Sequence, residues 1–336
     1  MAYATPRAMG HKKFLMDNEI KNSWLTLQEK LETLLGNLVR SGSEIMYLDY
    51  PVHRNVGDLL IFLGSETWIR KNNIKVYSRW FIDNFIFPQI SERILIICHG
   101  GGNFGDLYKH QLFREEIVKK YPNNRIIFLP QTIHYNNLFL LKRTATILNN
   151  HRDLHLFLRD QRSFDLARFW FPDSECYLAP DMATFLYPLQ ESLNFQLDVS
   201  SKGSTIFLLR KDLEQRADQD PISPSPSWEG DWEEMLGLYA WELRFWQMIG
   251  RLSRQKLPAQ VFASVWHSSA RRIAIRCALK FLEADHIVTS RLHGHILACL
   301  LGISNTLLDN SYGKNSAYFQ CWHQDLNFTT LHGATL

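Results

Sequence analysis

The chain of 336 residues is 46% hydrophobic and 21% charged, which suits a folded protein with a sizeable core and excludes a disordered or fibrous chain. Lys and Arg exceed Asp and Glu by 37 − 34 = 3, so the balance gives no sign of a nucleic-acid partner, for which a concentrated basic patch is usual. No apolar run approaches the roughly 20 residues that span a bilayer. The five cysteines, odd in number and without a CxxC, speak for a reducing compartment rather than a disulfide scaffold.

The opening MAYATPRAMGHKKF lacks the apolar centre of a signal peptide. With the cysteines it sets the expectation of a cytoplasmic protein, peripheral membrane contact being left open. Residues 17–41 are expected to form an amphipathic helix. Ile20, Trp24, Leu27, Leu31, Leu34 and Leu38 recur at three- and four-residue spacing, Asp17 can cap the start and Gly42 can end it. Its polar face is mixed in charge, which points to packing on the body of the protein. From Glu44 short apolar runs alternate with helical stretches. Strands are expected at 44–50, 74–77, 93–98, 125–129, 154–158 and 175–178, and helices near 58–71, 106–120, 137–150 and 160–169. This alternation predicts a mostly parallel sheet covered by helices.

A second unit starts near Ser204, where STIFLLRKD gives a strand ending in Arg210, Lys211 and Asp212. Residues 215–231, rich in Pro, Ser and Asp, are expected to form a loop or lid. A helix from Trp232 to Ser253, a strand at 260–265, a helix at 267–282 and a strand at 286–289 follow. The expected fold class is α/β, with two Rossmann-like halves facing a cleft and an extra N-terminal helix. The boundaries are a helical extension at 1–43, a first Rossmann-like domain at 44–190 and a second at 200–325.

In such sheets ligands bind beyond the carboxyl ends of the strands. The segments there are PVHRNVGD at 51–58, HGGGNFGD at 99–106, PQTIH at 130–134, RDQRS at 159–163 and APDMA at 179–183. Gly100, Gly101, Gly102 and Gly105 read as a strand-to-helix turn whose N–H groups form a nest for an anion or a polar edge, or as a tight turn with nothing bound. No GK[ST] follows, so this is not a Walker A loop. NxGD occurs at Asn55–Asp58 and at Asn103–Asp106, each read at a helix start.

The stretch Thr289–Lys314 reads as strand, helix, strand and loop. Ser290 is the expected N-cap, with Arg291 and His293 at the first and third helical positions. Free N–H groups, the dipole and an arginine there suit an anion, although a first-turn arginine is more often a solvated surface residue. The anion-binding candidates are Arg159, Arg291, His293 and Lys314. The carboxylate candidates are Asp58, Asp106, Asp160, Asp181 and Asp309. His293 and His295 would point about 200° apart on a helix. No HExxH or clustered Cys/His motif is present, so no metal is expected. GxSxG is absent, which disfavours a serine hydrolase.

The sequence resembles the polysaccharide pyruvyl transferase family. The residues that carry the resemblance are NVGD at 55–58, HGGGNFGDLY at 99–108, LPQTIH at 129–134, LRDQRSFDLA at 158–167 and PDMA at 180–183. LLRKDLE at 208–214, GDW at 230–232 and SRLHGHILACLLGISNTLLDNSYGK at 290–314 continue it. Order and spacing match across roughly residues 45–325. The resemblance implies a GT-B-like architecture and transfer of pyruvate from phosphoenolpyruvate to a sugar as a cyclic ketal, with no cofactor besides that donor. The first Rossmann-like domain would then be the acceptor side and the second the phosphoenolpyruvate side. It implies donor-clamping roles for Arg159 and Arg291, proton transfer or phosphate contact for His293, and phosphate contact for Lys314. Asp106 or Asp58 would activate or position an acceptor hydroxyl. Gly101, Gly102, Asn103 and Leu292 fall in the same motifs and are expected to touch substrate. The expected acceptor is a glycan or lipid-linked oligosaccharide. A nucleotide-sugar glycosyltransferase would share the architecture and the anion pocket. A non-catalytic glycan-binding module would explain Trp228, Trp232, Trp266 and Trp322 but would leave the arginines and His293 without a role.

Overall fold

The structure is a computed structural model that describes residues 18–53, 55–196, 203–215, 225–237, 240–252 and 259–333. The first sheet has seven strands: β1 (Glu44–Leu48), β2 (Lys75–Trp80), β3 (Leu95–Cys98), β4 (Gly101–Gly105), β5 (Ile126–His134), β6 (Leu154–Leu158) and β7 (Glu175–Leu178). All pair in parallel, in the order β2-β1-β3-β5-β6-β7, with β4 on β5. The helices of this part of the chain are α1 (Asn18–Gly36), α2 (Val56–Lys71), α3 (His110–Lys120), α4 (Leu138–Asn149), α5 (Gln161–Trp170) and α6 (Leu189–Leu193).

The second sheet is also parallel, in the order β12-β11-β10-β8-β9. Its strands are β8 (Thr205–Leu208), β9 (Trp228–Gly230), β10 (His286–Thr289), β11 (Ser304–Leu308) and β12 (Thr329–His332). Its helices are α7 (Trp232–Leu236), α8 (Ala240–Leu252), α9 (Ala259–Phe281), α10 (Leu292–Leu301) and α11 (Lys314–Trp322). Among the described residues no helix is long and apolar enough to cross a membrane.

The two sheets share an apolar core. It runs from Ile45 and Ile97 through Leu60 and Trp68 of α2 and Ile273 of α9 to Ile206 and Ile287. α10 is buried along its whole length, as expected of a helix that is apolar nearly all round, and Gly302 ends it in the left-handed conformation (φ 69°). α1 lies on the body through Trp24, Leu31 and Leu35, and the Gln28 amide donates to the carbonyls of Thr184 and Tyr187 at 2.9 and 2.6 Å. Asp17, its expected cap, lies outside the described residues, as do 216–224 of the expected lid.

Three expectations are corrected. The glycine-rich segment is not a turn leading into a helix: residues 101–105 form β4, which pairs with the second half of β5 where β3 has stopped. Pro130 is the reason for the break. It has no N–H for the ladder, and β5 shifts register between Phe128 and Gln131 as it passes. The apolar run at 260–265 is not a strand but the first turns of α9. Phe262, Trp266, Ala270, Ile273 and Cys277 are among its buried positions, at three- and four-residue spacing, while Val261 and Val265 are exposed. The sheet position is taken instead by β9, inside the stretch read as a loop.

α2 owes its place to close approach. A side-chain carbon on Gly64 would stand 2.0 Å from the carbonyl oxygen of Met182, in the short 3-10 helix Met182–Leu186. Gly36 of α1 has nothing within 4 Å of that position. Gly64→Ala is therefore expected to destabilise the fold by about 1–3 kcal/mol or more despite the better helix propensity of alanine, and Gly36→Ala to stabilise it by up to about 1 kcal/mol. Urea unfolding of both variants checks the pair. A neutral Gly64→Ala would mean that α2 and the 182–186 turn are not packed backbone to backbone.

Candidate active site

Each sheet has one point where the strand order reverses. The chain leaves β1 toward β2 and returns on the other side as β3, and it leaves β8 toward β9 and returns as β10. Ligand crevices form at the carboxyl ends of strands at such points. The loops after β8 and β10 carry Arg210 and Arg291. The loop after β1 carries Asn55 and leads into α2 with Asp58, and β4, just beyond β3, carries Gly102 and Asn103. All of these line one cavity of about 850 Å³, together with Arg159, Leu292, His293 and Lys314.

Its floor is organised by Asp181, which is fully buried. One carboxylate oxygen accepts from Arg159 Nη1 at 2.6 Å and lies 3.3 Å from His293 Nε2, and the other accepts from the backbone N–H of Ala183 at 2.9 Å. Burial alone would push this carboxyl up. His293 and Arg159 outweigh it and hold the group well below the usual carboxylate range. Arg159 also donates from Nε to Thr132 Oγ1 at 2.9 Å, so the guanidinium is fixed from two sides.

The opposite wall is a chain of alternating charges. Arg210 meets Asp212 with Nε and Nη2, at 2.8 and 3.2 Å, and Glu214 with Nη1 at 2.8 Å. Arg291 donates from Nη1 to Asp212 at 2.7 Å and grips Asp231 through Nε, at 2.8 Å, and Nη2. Lys314 Nζ is bonded to Glu214, which also accepts from Tyr108, Tyr312 and Asn310 at 3.1, 3.0 and 3.2 Å. Arg159, Arg210, Arg291 and Lys314 are thus matched by Asp181, Asp212, Glu214 and Asp231.

Two glycines leave room for this arrangement. A side-chain carbon on Gly57 would stand 2.8 Å from His293 Nδ1 and 2.9 Å from its Cβ, so the imidazole lies on the backbone of the NVGD segment. The same carbon on Gly102 would be 3.2 Å from Arg159 Nη2 and 3.3 Å from Lys314 Nζ. The space above Gly102 faces both cations and has the character of an anion seat.

A family model described as polysaccharide pyruvyl transferase matches residues 55–246. EpsO of Bacillus subtilis (strain 168) is 37% identical over 317 residues, which are 93% of this chain and 95% of that protein. This chain belongs to the polysaccharide pyruvyl transferase family. It is a pyruvyl transferase enzyme of polysaccharide biosynthesis. Pyruvyl transferase 1 of Schizosaccharomyces pombe (strain 972) is 26% identical over 330 residues, 94% of this chain and 76% of that protein. A crystal structure of an uncharacterised protein from Klebsiella pneumoniae subsp. pneumoniae NTUH-K2044 matches the fold with a TM-score of 0.56 at 18% identity, covering 95% of this chain and all of that one.

Of the family-motif residues singled out in the sequence, Arg159, Arg291, Leu292, His293, Lys314, Asp58, Gly102 and Asn103 come together in the cavity. Gly101 and Asp106 do not line it. Because residues 101–105 are a strand, Asp106 is carried past the cavity and clamps the start of α4: its carboxylate accepts from the N–H of Asn136 at 3.0 and 2.9 Å and of Asn137 at 2.7 Å. Asp160 caps α5 by accepting from Ser163 N–H, and Asp309 holds Asn310 and Ser316. Ser290 is not the cap of α10. Its hydroxyl accepts from Arg210 N–H at 2.8 Å and ties the ends of β8 and β10, while Arg291 occupies the N-cap position without a side-chain bond to the helix's first N–H groups.

His295 points away from the cavity. Its Nδ1 meets Asn305 Oδ1 at 2.6 Å and its Nε2 meets His323 Nδ1 at 2.8 Å. With Cys299 these are the one His/Cys group among the described residues close enough together to hold a metal. The Cys299 sulfur is 3.7 and 3.8 Å from the two ring nitrogens of His295 and so lies on the lone-pair direction of neither, which marks a hydrogen-bonded core network. Arg210, Asp212, Glu214, Asp231 and Tyr108 were missed as site residues. The signal was present, since RKD follows β8 as SRLH follows β10.

Burial pushes the Lys314 ammonium down to about 8, against the pull of Glu214 and with the help of Arg210 and Arg159. Below that pH Lys314 is charged, and as pH rises through it the charge is lost. Glu214→Gln removes the opposing carboxylate, so Lys314 should lose its proton at lower pH. Sulfate, whose charge is constant in this range, is the probe. Its affinity for the variant should fall off about one pH unit or more below the wild-type limb, and an unmoved limb would remove Lys314 from the anion seat.

Proposed function

We propose that this enzyme transfers the pyruvyl group of phosphoenolpyruvate to two hydroxyls of a glycan or lipid-linked oligosaccharide, giving a cyclic ketal and phosphate. The observation that carries the reading is the set of cations in the cavity lining. Arg159 and Lys314 flank the space above Gly102, and Arg291 and His293 line the same cavity, which suits a donor with a carboxylate and a phosphate, while Asn55, Asp58, Asn103 and Tyr108 in that lining suit hydroxyls.

The chemistry balances with these groups. His293, oriented through Nε2 by Asp181, delivers a proton to C3 of the enol, whose methylene becomes a methyl group. C2 becomes oxocarbenium-like and accepts the first acceptor hydroxyl, whose proton passes to Asp58. Phosphate leaves against Arg159 and Lys314 and takes up a proton. The second hydroxyl then closes the ketal on C2 and gives up its own proton, so two hydroxyl protons are lost and C3 and phosphate each gain one. Arg291 holds the donor carboxylate once Asp212 yields its place. In this reading residues 44–190 serve the acceptor, apart from Arg159, which reaches the donor, and 200–325 serve the donor, as in a GT-B arrangement of two Rossmann-like domains. A cytoplasmic site of action, at most in peripheral contact with the membrane, agrees with the unpaired Cys98, Cys176, Cys277, Cys299 and Cys321.

Calorimetric and thermal-shift titration with phosphoenolpyruvate beside uridine and guanosine diphosphate sugars tests the donor. Phosphoenolpyruvate at a hundredfold excess over its Kd should stabilise the protein by about 2.7 kcal/mol. Arg159→Ala should lower turnover by about 10²–10³-fold. Stabilisation by a nucleotide sugar alone would move the enzyme to another donor class.

A further inference from the structure

α8 packs on α9 with only one side of its circumference. Trp246 meets the Phe262 ring edge-on, with centroids 6.0 Å apart, and Ile249 packs on the same core. Glu242 accepts from Ser269 Oγ and Arg272 Nη2 at 2.8 and 2.7 Å. Glu242, Trp246 and Ile249 stand at four- and three-residue spacing and so share a face. Trp241, Phe245 and Met248 repeat that spacing one residue earlier, which turns them about 100° away around the helix. Each of the three is more than half exposed. Arg244 stands with them, its guanidinium 5.1 Å from the centroid of the Trp241 ring. Singly exposed apolar residues are ordinary, but a contiguous row of large ones marks a surface that meets something.

Charge selects the partner. From Leu243 to Leu282 the chain carries eight Arg and Lys and no Asp or Glu. Glu242, the one acid of α8, is already taken up by Arg272. Two copies of this chain meeting through α8 would bring like charges together, which disfavours a homomeric contact. A bilayer with anionic headgroups suits both features. Trp and Phe rings settle at the headgroup level, Met reaches the acyl boundary, and Arg keeps its stem on the apolar surface with its charge among the phosphates. The place in the fold agrees. α7 lines the main cavity through Trp232, Glu233 and Glu234, and Arg244 of α8 lies 3.6 Å from Glu233. The exposed row thus begins one ion pair away from the cavity lining.

We propose that the face of α8 formed by Trp241, Phe245 and Met248, with Arg244 beside them, rests on an anionic phospholipid surface and holds the main cavity next to it. The contact itself stands on α8 and its charge. Its purpose, bringing the cavity to a lipid-linked acceptor, rests on the transfer reading above. Binding through one helix face is reversible, and its strength follows the apolar area inserted and the anionic lipid content.

The test is cosedimentation of the full chain with vesicles of phosphatidylcholine alone and of phosphatidylcholine with about one-third phosphatidylglycerol, at low and at high salt. The wild type should bind the phosphatidylglycerol vesicles about tenfold tighter or more, and salt should reduce that preference. Joint replacement Trp241→Ser, Phe245→Ser and Met248→Ser should weaken binding by about tenfold or more. Thermal unfolding of that variant, and its phosphate release with a water-soluble acceptor, should match the wild type, because the three side chains are exposed and do not line the cavity. Arg244→Gln should weaken binding about fivefold, and only where phosphatidylglycerol is present. Phe169→Ser, on the exposed side of α5, is the control and should change nothing. No binding to either vesicle, or binding that the triple replacement weakens no more than Phe169→Ser does, would overturn the proposal. So would a dimer that the triple replacement dissolves, in a chain that does not bind vesicles. Vesicle binding through this face by a chain that releases no phosphate from phosphoenolpyruvate with any acceptor would leave the surface standing and sink the transfer reading instead.

Discussion

The carboxylate of Asp181 is the constraint on which the site depends. It stands just beyond β7, and it receives Arg159 from the end of β6 and His293 from α10, which belongs to the second sheet. Three ionisable groups from two sheets thus meet at the largely buried floor of the cavity. Burial of any one alone would be unfavourable; together they satisfy each other. Such a group contributes less to net stability than to register, since a small slip of α10 against the first sheet would leave a buried arginine unpaired. Gly57 completes the device from below, because a side chain there would collide with the His293 ring.

The same logic extends outward. Glu214 gathers Tyr108 from the first sheet and Arg210, Asn310, Tyr312 and Lys314 from the second. Further contacts cross between the sheets nearby: Arg162 donates to the Tyr312 carbonyl at 2.8 Å, His134 stacks on Tyr312, and Trp322 donates to the Arg159 carbonyl at 2.8 Å. The apolar core behind, through α2, α9 and α10, makes the two sheets one packed body at the base of the cavity.

Much of this was legible in the chain. β6, β7 and β10 fall where the apolar runs at 154–158, 175–178 and 286–289 place them, because each run is short and bounded by polar residues. Arg159, Arg291, His293 and Lys314 were found because polar chemistry at strand ends is informative in a parallel sheet. The failures have separate causes. The run at 260–265 is too short to betray its period, and its exposed valines imitate a strand. Glycines suggested a turn at 100–105, yet β5 offered them a free edge that only the tertiary arrangement reveals. Asp106 followed the same motif as Asp58 and was separated from it by that extra strand. Partnership was least legible of all. The sequence holds Asp181, Asp212, Glu214 and Asp231, but which arginine each one meets depends on loops from different strands converging in space.

A cavity whose cations are matched by carboxylates casts little field beyond a Debye length, roughly 8 Å at physiological salt. Anions in the surrounding solution are neither drawn in nor sorted by its charge. Discrimination begins only at contact, where a ligand must offer each cation a better partner than the carboxylate it already has, and an anion of the wrong shape gains nothing from charge alone. Encounter then proceeds at the unsteered rate and changes little with ionic strength, so that the time a ligand stays, rather than how often it arrives, sets its occupancy among the many small anions of a cell.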